Sequence, residues 1–372
     1  MEASHATDRC GDMFVLDQSA VTALKESIFY RLMSGTRMPL YVLGRNKYAE
    51  RVSCVWAVQA FVDDFTSEKV HLGKPIIRMT DLPGECLVVS CVTDTVPVTA
   101  LDRLRSVGVQ QVIDYFTLFR LAPAVFGPPE FCAANREDIA ENLTWYERVY
   151  NRLADEVSRQ HFAKVVQFRF TMDLEHMRGF TLAIDRQYFE DFVPRNEGEV
   201  FVDGGGFDGE TTLRFTAWNK AYRQIHYFEP VPAMMDISRR NLAGLPNVRL
   251  VQKGLFSRND RLRFNASAGP ASGLSANGQT EIDAVRLDDE VQDSVTFMKL
   301  DIEGAEYEAL QGAAEHIRSE TPTLAVCIYH DQRDFWRVPR KVFEINDRYA
   351  LYVRHYSESV RETVMFFVPR RR

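Results

Sequence analysis

The chain has 372 residues, of which 45% are hydrophobic and 26% charged, so it can fill a sizeable globular core and favours two domains over one. Its 45 basic and 52 acidic residues give a net charge of −7, and no basic stripe indicates a nucleic-acid partner. No stretch approaches the roughly 18 apolar residues of a membrane span, and residues 1–30 lack an apolar signal segment, so we expect a cytoplasmic protein.

The N-terminal third predicts a small α/β unit. Residues 1–37 read as a short leader and an amphipathic helix, because Leu24, Ile28 and Leu32 recur at helical spacing. Residues 38–121 alternate between strands and helices, which is typical of a parallel, Rossmann-like sheet. The predicted elements are strand 40–43, helix 46–53, strand 55–62, strand 86–92, helix 99–107 and strand 110–113. A nucleotide or nucleotide-sugar pocket and a structural or partner-binding role both remain open for this domain.

Residues 122–184 are predicted to connect this unit to a second one. Three prolines and a glycine interrupt residues 122–135, which read as a linker. Helical patterns follow from Arg136 to about Gln160 and again over 161–177, as in helices that bridge domains. We place the second domain at residues 185–372.

A glycine-rich turn opens the second domain. The apolar strand 200–202 runs into Asp203, and residues 204–206 are consecutive glycines. With Gly209 they fit the G-x-G-x-x-G pattern of phosphate-binding loops, in which glycines allow positive φ and let a ligand approach the backbone. Asp203 would lie at the carboxyl end of the strand, where open α/β sheets bind ligands. A tight turn without a ligand would use the same glycines, so this match alone is weak.

The residues around this turn indicate which ligand it would hold. A second strand, 225–228, ends in Glu229, at about the spacing of roughly 20 residues at which dinucleotide folds place an acid for the ribose hydroxyls. Residues 203–211 contain three acids and no lysine or arginine. Such a loop repels phosphate and suits a cationic, phosphate-free adenosine ligand. S-adenosylmethionine, with its sulfonium and ammonium charges, fits this description.

A small, polar segment separates the early and late strands of the second domain. Residues 265–280 predict a mobile loop, either a lid over the site or an inert excursion. In the strand 282–288 that follows, we expect Asp283 or Val285 to lie near the adenine of such a ligand. The predicted cofactor-binding residues are Asp203, Gly204, Gly205, Gly206, Asp208, Glu210, Thr211, Glu229 and Asp283.

Two later strands supply the candidate catalytic residues. Strand alternation places Lys299, Asp301 and Glu303 on one face, and ionisable groups on a buried strand are costly unless they are paired or used. A structural salt bridge from Lys299 to Asp301 or Glu303 is the alternative. A further apolar strand ends in His330, which titrates in the range of a general base. We predict His330, Asp301 and Glu303 as catalytic residues.

A divalent cation such as Mg²⁺ is an open alternative at the same place. Asp301, Glu303, His330 and Asp331 offer oxygen and imidazole ligands. We assign none of them as a metal ligand from the sequence. The six cysteines lack C-x-x-C spacing, which argues against a zinc or disulfide framework.

The second half of the chain resembles the FkbM family of S-adenosylmethionine-dependent methyltransferases. The resemblance covers residues 185–368 and rests on residues 201–211, on Phe228-Glu229-Pro230 and, most specifically, on Lys299-Leu300-Asp301-Ile302-Glu303-Gly304-Ala305-Glu306. It implies a seven-stranded class I methyltransferase sheet ending in an antiparallel pair, at 349–354 and 362–368. It also implies O-methylation of a sugar or secondary-metabolite hydroxyl, with Asp203 and the glycine loop facing the methionine part of the cofactor and Glu229 its ribose.

Two other functions remain open at this point. The glycine spacing and Glu229 are compatible with an NAD-dependent enzyme of a sugar pathway, although the acidic loop argues against it. A non-catalytic, methyltransferase-like binding protein is the second, against which the intact acids argue. We expect a small-molecule or glycan acceptor, whose identity the sequence does not reveal. A homo-oligomer is compatible with the sequence.

Overall fold

The computed structural model describes residues 23–265, 273–274 and 280–370. The predicted leader and most of the predicted loop 265–280 lie outside these residues. Two parallel sheets, each accompanied by helices, follow one another along the described chain. Among the described helices, none combines the length and the apolar character that crossing a bilayer requires.

The first sheet is built by residues 40–114. Its strands are β1 (Leu40–Leu43), β2 (Ala60–Val62), β3 (Val70–His71), β4 (Lys74–Ile77), β5 (Leu87–Ser90) and β6 (Gln111–Asp114). Its helices are α1 (Ala23–Met33), α2 (Lys47–Val55), α3 (Pro97–Ser106) and α4 (Tyr115–Leu121). The strand order is β3-β4-β2-β1-β5-β6, and all neighbours are parallel except β3 and β4. The smaller Rossmann-like sheet is thus confirmed.

Two details of this sheet differ from the prediction. Helix α2 continues through Val55, so the strand predicted at 55–62 begins only at Ala60. The run from Val55 to Val62 is mostly apolar, and hydrophobicity alone does not separate the last turn of a helix from a buried strand. The short hairpin of β3 and β4 was not predicted, because strands of two and four residues are too short to show a period.

Three helices, rather than two, connect the sheets. They are α5 (Asn135–Glu141), α6 (Leu143–Arg152) and α7 (Glu156–Thr171). Asp155 divides the pattern predicted from Arg136 to Gln160, because its side chain accepts a hydrogen bond from the Ser158 backbone N–H and caps α7. The buried Arg169 of α7 donates hydrogen bonds to the carbonyl oxygens of Tyr329 and Val360, both at 3.0 Å. Helix α7 is therefore anchored to the second sheet.

The second sheet has seven strands. They are β7 (Val200–Gly204), β8 (Gln224–Phe228), β9 (Val248–Val251), β14 (Phe297–Leu300), β15 (Thr323–Cys327), β16 (Tyr349–His355) and β17 (Thr363–Pro369). Their order is β16-β17-β15-β14-β7-β8-β9, and only β17 runs antiparallel to its neighbours. The expected class I methyltransferase sheet with its terminal antiparallel pair is confirmed.

Helices and a small sheet surround this large sheet. The helices are α8 (Glu210–Trp218), α9 (Pro232–Asn241), α10 (Leu287–Glu290), α11 (Glu306–Gly312), α12 (Ala314–Ser319) and α13 (Asp334–Ile345). The small sheet has the order β10-β13-β11-β12 and consists of β10 (Gly254–Leu255), β11 (Asp260–Asn265), β12 (Gly273–Leu274) and β13 (Thr280–Val285). One hydrophobic core runs from Phe116 through Phe168 of α7 to Val326 in the large sheet.

The carboxyl edges of the two parallel sheets meet. Strand β16 runs parallel to β15, so the β16–β17 connection lies at the carboxyl edge of the second sheet. In this connection the Glu358 carboxylate accepts a hydrogen bond of 2.7 Å from the Thr99 backbone N–H, and Ser359 Oγ donates to the Thr93 carbonyl oxygen. Thr93 follows β5 at the carboxyl edge of the first sheet. Since α/β sheets bind ligands at carboxyl edges, the two expected ligand-binding edges face each other.

Candidate active site

The glycine loop between β7 and α8 packs tightly against its neighbours. The N–H groups of Gly205 and Gly206 both donate to the Phe228 carbonyl oxygen at 3.0 Å. Gly205 has φ +72°, and a Cβ there would overlap the carbonyl oxygen of Asp301, while one at Gly206 would overlap the Tyr227 ring. Protein atoms thus fill the space that we predicted the glycines leave for a ligand. These glycines are required because the loop must close against β8 and β14.

Asp203 is completely buried, and the protein itself uses both of its carboxylate oxygens. Its Oδ1 lies 3.0 Å from Lys299 Nζ, and its Oδ2 accepts a hydrogen bond of 2.7 Å from Thr212 Oγ1. Lys299 Nζ also donates to the carbonyl oxygens of Gly204 and Gly205, at 3.1 and 2.7 Å. The structural partner of Lys299 is therefore Asp203, not Asp301 or Glu303 as we had considered. In this geometry Asp203 supports the loop from inside the sheet, and its contact with the methionine part of the cofactor stays a prediction.

The charge of Lys299 depends on this pairing. Burial opposes an ammonium group, but Asp203 and Asp301 raise the pKa of Lys299 above its ordinary value. Lys299 thus remains a cation within the sheet. It fastens the end of β7 to β14 through one carboxylate and two carbonyl oxygens.

Glu229 lies at the carboxyl end of β8, next to the glycine loop. Its Oε2 accepts a hydrogen bond from the Phe207 N–H at 3.0 Å, and its Oε1 accepts one from the Val231 N–H at 2.8 Å. Burial raises the pKa of this carboxyl group to about 7. Each carboxylate oxygen can accept more than one hydrogen bond, so this geometry leaves capacity for ligand hydroxyls. Recognition of ribose by Glu229 stays a prediction.

The remaining predicted cofactor residues divide into two places. The glycine loop contains Asp208, Glu210 and Thr211. Asp208 is half-buried and accepts a hydrogen bond from the backbone N–H of Glu210, which is an exposed residue. Asp283 lies on β13 of the small sheet, with an exposed carboxylate 3.2 Å from Arg261 Nε. This exposed ion pair gives Asp283 a role without a ligand, so its predicted position against the adenine receives no support from the geometry.

The structure brings His330, Asp301 and Glu303 together and adds Glu306. His330 Nδ1 lies 2.8 Å from Glu306 Oε1, while Nε2 lies 3.4 Å from Glu303 Oε2 and 3.5 Å from Asp301 Oδ1. The His330 side chain is 2% exposed, whereas those of Asp301 and Glu303 are 24% and 28% exposed. We call these four side chains the carboxylate cluster. Its two acids that reach the surface are the groups accessible to a substrate.

A left-handed turn produces the carboxylate cluster. Strand β14 ends at Leu300, and Glu303 and Gly304 then adopt φ values of +58° and +95°. The left-handed conformation costs a residue with a side chain roughly 1–2 kcal/mol, so the backbone of Glu303 is strained and must be held in place by surrounding contacts. The Ile302 N–H donates to Glu306 Oε1 at 2.9 Å and closes the turn. The three carboxylates consequently converge on one imidazole.

The cluster also determines where protons reside. Burial alone would lower the pKa of His330, but Glu306, Asp301 and Glu303 raise it to about 9. Burial raises the pKa of Glu303 to about 8. Burial works in the same direction on Asp301, but Lys299 and His330 lower its pKa below the ordinary value. At neutral pH an imidazolium therefore lies beside an ionised Asp301 and a protonated Glu303.

This protonation changes the role that we predicted for His330. An imidazolium has no lone pair with which to accept a proton, so the raised pKa of His330 disfavours it as the resting general base at neutral pH, and its catalytic role stays a prediction. Asp301 is ionised and partly exposed. It is the proton acceptor that the geometry favours.

Three residues of the site were missed or unassigned at the sequence level. Tyr188 OH donates to Asp301 Oδ2 at 2.8 Å, and Tyr329 OH lies 3.3 Å from Oδ1. Tyr188 is 113 residues from Asp301 in sequence, so no local pattern connects them. Glu306 is the first residue of helix α11, and its approach to His330 depends on the left-handed turn at Glu303 and Gly304, which no strand or helix spacing indicates.

The structure gives the predicted cation site a different set of possible ligands. Asp331 pairs with Arg333 at 2.6 Å and with Arg337 at 3.4 Å, so its carboxylate is engaged outside the cluster. Within the described part of the chain, Asp301, Glu306 and His330 could each place one ligand atom within 4.8 Å of the others. A cation there would compete with the proton of the imidazolium. A divalent cation stays a prediction, with this different set of ligands.

Comparisons with known proteins identify a methyltransferase domain and a similar fold. Residues 203–364 match the model of the methyltransferase FkbM domain, and no curated protein matches the chain. The structure of the FkbM methyltransferase from Methylobacillus flagellatus KT is similar over 94% of this chain and 94% of its own, with 23% identity and a TM-score of 0.75. This likeness covers nearly the whole chain, so the fold of the first sheet is shared as well.

Two further solved structures match part of the chain. A putative rRNA-methylase from Clostridium thermocellum has 12% identity and a TM-score of 0.33, over 47% of this chain and 88% of its own. Fibrillarin from Aeropyrum pernix, solved with S-adenosyl-L-methionine, has 11% identity and a TM-score of 0.34, over 50% of this chain and 72% of its own.

Proposed function

We propose that this chain, an S-adenosylmethionine-dependent methyltransferase with an FkbM domain at residues 203–364, methylates a hydroxyl of a sugar, glycan or secondary metabolite. The observation that supports O-methylation is the ionised, partly exposed Asp301 beside the glycine loop. A hydroxyl must lose its proton when it is methylated, and Asp301 is placed to accept it. The match to a methyltransferase domain argues against the NAD-dependent alternative. The non-catalytic alternative would keep the same domain, and it predicts no methyl transfer in the assays below.

The atoms and charges of the proposed reaction can be followed from the cofactor to the acceptor. S-adenosylmethionine supplies a methyl group on a sulfonium sulfur, which keeps the electron pair of the broken carbon–sulfur bond. The acceptor oxygen forms the new bond to the methyl carbon and gains positive charge, so its proton becomes acidic. Asp301 takes this proton, while Tyr188 and the His330 imidazolium hold the carboxylate in place. Most of the acceleration would come from positioning the two reactants.

The cofactor would be held by the chain's own groups on the other side of the loop. Glu229 would accept hydrogen bonds from the ribose hydroxyls. Asp208 and the exposed Glu210 give the loop a negative field, which favours the cationic methionine part. Asp203 and Lys299 would keep this loop in shape from inside the sheet.

Calorimetry with S-adenosylmethionine and S-adenosylhomocysteine, with and without Mg²⁺, tests the cofactor assignment. We expect both to bind. A gain in affinity or turnover with Mg²⁺ would favour a cation site formed by Asp301, Glu306 and His330. Equal affinity and turnover with and without Mg²⁺ would exclude this site. Binding of neither compound would refute the proposed function.

A paired substitution tests the assignment of Asp301. Asp301→Asn should leave cofactor affinity nearly unchanged and lower methyl transfer to a panel of sugars by about 10²–10⁴-fold, the usual contribution of a positioned base. Asp260→Asn is the control, since it removes an exposed, ion-paired carboxylate of the same domain that lies outside the predicted site. Equal rates for the two variants would exclude Asp301 as the base.

A further inference from the structure

A cleft of about 350 Å³ lies between the first sheet and the methyltransferase unit, apart from the residues assigned above. Residues 46–48 after β1 and Thr93 and Asp94 after β5 form one side of the cleft. Residues 129–130 of the connecting segment, together with Val360 and Arg361 of the β16–β17 connection, form the other. The cleft therefore lies where the two carboxyl edges meet.

The topology of the first sheet places this cleft at a ligand-binding position. Strand β1 lies between β2 and β5 in the sheet. The connection after β1 leads to β2 on one side, and the connection after β5 leads to β6 on the other side. The connections after β1 and β5 consequently diverge and leave a crevice at the carboxyl edge. Residues 46–48 and 93–94 lie within five residues of the ends of these two strands.

The charges of the cleft indicate the chemistry of its ligand. Lys47 and Arg361 both pair with Glu130, and Arg361 Nε lies 3.2 Å from Asp94 Oδ1. Two cations are thus matched by two carboxylates, which leaves no surplus positive charge for a phosphate. A sugar hydroxyl donates and accepts hydrogen bonds, so it can use a carboxylate and a cationic donor together. We propose that this cleft binds the neutral, polyhydroxylated part of the methyl acceptor.

The cleft is close to the carboxylate cluster. The guanidinium carbon of Arg361 lies 4.9 Å from the centroid of the Phe131 ring, and that ring lies 5.4 Å from the His330 ring. One aromatic ring therefore separates the cleft wall from the cluster. This inference rests on the proposed function because it takes the bound molecule to be the methyl acceptor, but the binding itself can be measured without turnover.

Saturation-transfer NMR on the full chain with S-adenosylhomocysteine tests the proposal, using methyl glycosides of neutral hexoses and deoxyhexoses as probes. We expect at least one glycoside to bind. Glu130→Gln should weaken it by about tenfold, because a charged hydrogen-bond acceptor is lost. Glu68→Gln is the matched control, since Glu68 also pairs with an arginine, Arg45, but lies outside the cleft.

A second variant separates binding from folding. The Lys47 side chain is 60% exposed, and its removal leaves the Arg361–Glu130 pair in place, so Lys47→Gln should weaken the glycoside without lowering the thermal unfolding midpoint. Binding that neither variant weakens would overturn the proposal. No glycoside bound at the highest soluble concentration, or uridine monophosphate bound in preference, would also overturn it.

The two proposals fail in different ways. Calorimetry with S-adenosylmethionine on the same preparations tests the proposed function alone. If the cofactor binds and the cleft variants have no effect, only the acceptor cleft is wrong. If the glycosides bind in the cleft but the cofactor does not, the proposed function is wrong, and the cleft is a glycoside site that holds no methyl acceptor.

Discussion

Asp203 and Glu229 each end a strand of the large sheet, yet the structure gives them different surroundings. The sequence indicated both positions correctly, because a strand followed by an acid predicts the carboxyl edge. It did not indicate that Lys299 and Thr212 would use both oxygens of Asp203, since these contacts join distant parts of the chain. A motif locates a side chain on a sheet, but its direction depends on packing with strands that the motif does not contain.

Removal of Asp203 should destabilise the fold. Asp203→Ala leaves the Lys299 ammonium buried without its counter-ion, which should lower the free energy of unfolding by about 3–5 kcal/mol. The double variant with Lys299→Met should recover most of this loss, because no buried charge then remains. Urea denaturation of both variants checks the expectation. Equal stability of the wild type and Asp203→Ala would contradict it.

Glu229 should make cofactor affinity depend on pH. Its pKa of about 7 in the free protein means that ribose binding, which needs the carboxylate, requires loss of a proton below this pH. Affinity for S-adenosylmethionine should therefore increase as the pH rises towards 7 and level off above it. Calorimetry across this range measures the effect. Glu229→Gln should bind more weakly and without this dependence, and a persisting slope would assign the effect to another group.

The carboxylate cluster predicts a decline of activity at high pH. The imidazolium of His330 is present below a pKa of about 9, and Glu303 loses its proton at about 8. Above these values the cluster gains negative charge, and Asp301 loses the cationic partner that holds its carboxylate in place. We expect kcat/KM to fall as the pH rises through 8–9. An increase over the same range would instead identify neutral His330 as the base.

The ion pairs of His330 should also make the stability of the folded protein depend on pH. The pKa of His330 is raised above the ordinary value of 6.5, so its ion pairs stabilise the folded state fully below that pH. This contribution is lost as the pH rises through about 9. His330→Gln should remove it, and denaturation at two pH values, near 6 and near 9, measures the difference.

At the scale of elements, hydrophobic pattern was a good guide where strands were long and buried. Strands β7 and β8 were expected within two residues of their observed bounds, because the apolar runs that end in Asp203 and Glu229 are bounded by clear turn signals. The hairpin of β3 and β4 was missed, since its strands are short and largely exposed. The division of the bridging pattern into α6 and α7 depends on a single cap, Asp155.

The glycine loop offers a test of element packing. Gly205→Ala should lower stability by about 1–3 kcal/mol more than Gly198→Ala, because overpacking adds to the cost of positive φ. The control is well matched: both glycines have φ +72°, but a Cβ at Gly198 meets nothing within 4 Å. Chemical denaturation of the two variants gives the comparison. Equal losses would show that the loop can move away from Asp301.

At the scale of the whole molecule, the contact between the sheets was not foreseen. Sequence reasoning predicted two units and a connection, but nothing in either pattern indicated that their carboxyl edges would meet. The contact depends on Glu358 reaching the third residue of helix α3, 259 positions away. Contacts of such separation leave no periodic trace in a single sequence.

Glu358 should contribute measurably to stability. Its buried carboxylate accepts hydrogen bonds from Thr99 N and Thr99 Oγ1, at 2.7 and 2.5 Å, and so caps helix α3 from the other unit. Glu358→Ala should lower the free energy of unfolding by about 1–3 kcal/mol. Glu344→Ala removes an exposed, ion-paired glutamate and should change it by at most about 0.5 kcal/mol. Similar losses in both variants would mean that the contact between the sheets is weak.

The meeting of the two edges also bears on how such a chain can diverge. The glycine loop and the carboxylate cluster fall within residues 203–364, which match the FkbM domain, whereas residues 46–48, 93–94 and 129–130 of the acceptor cleft fall outside it. In our proposal, the choice of donor and the choice of acceptor are therefore encoded in largely separate stretches of sequence. Mutation and selection can act on the acceptor wall while the chemistry of methyl transfer is inherited intact.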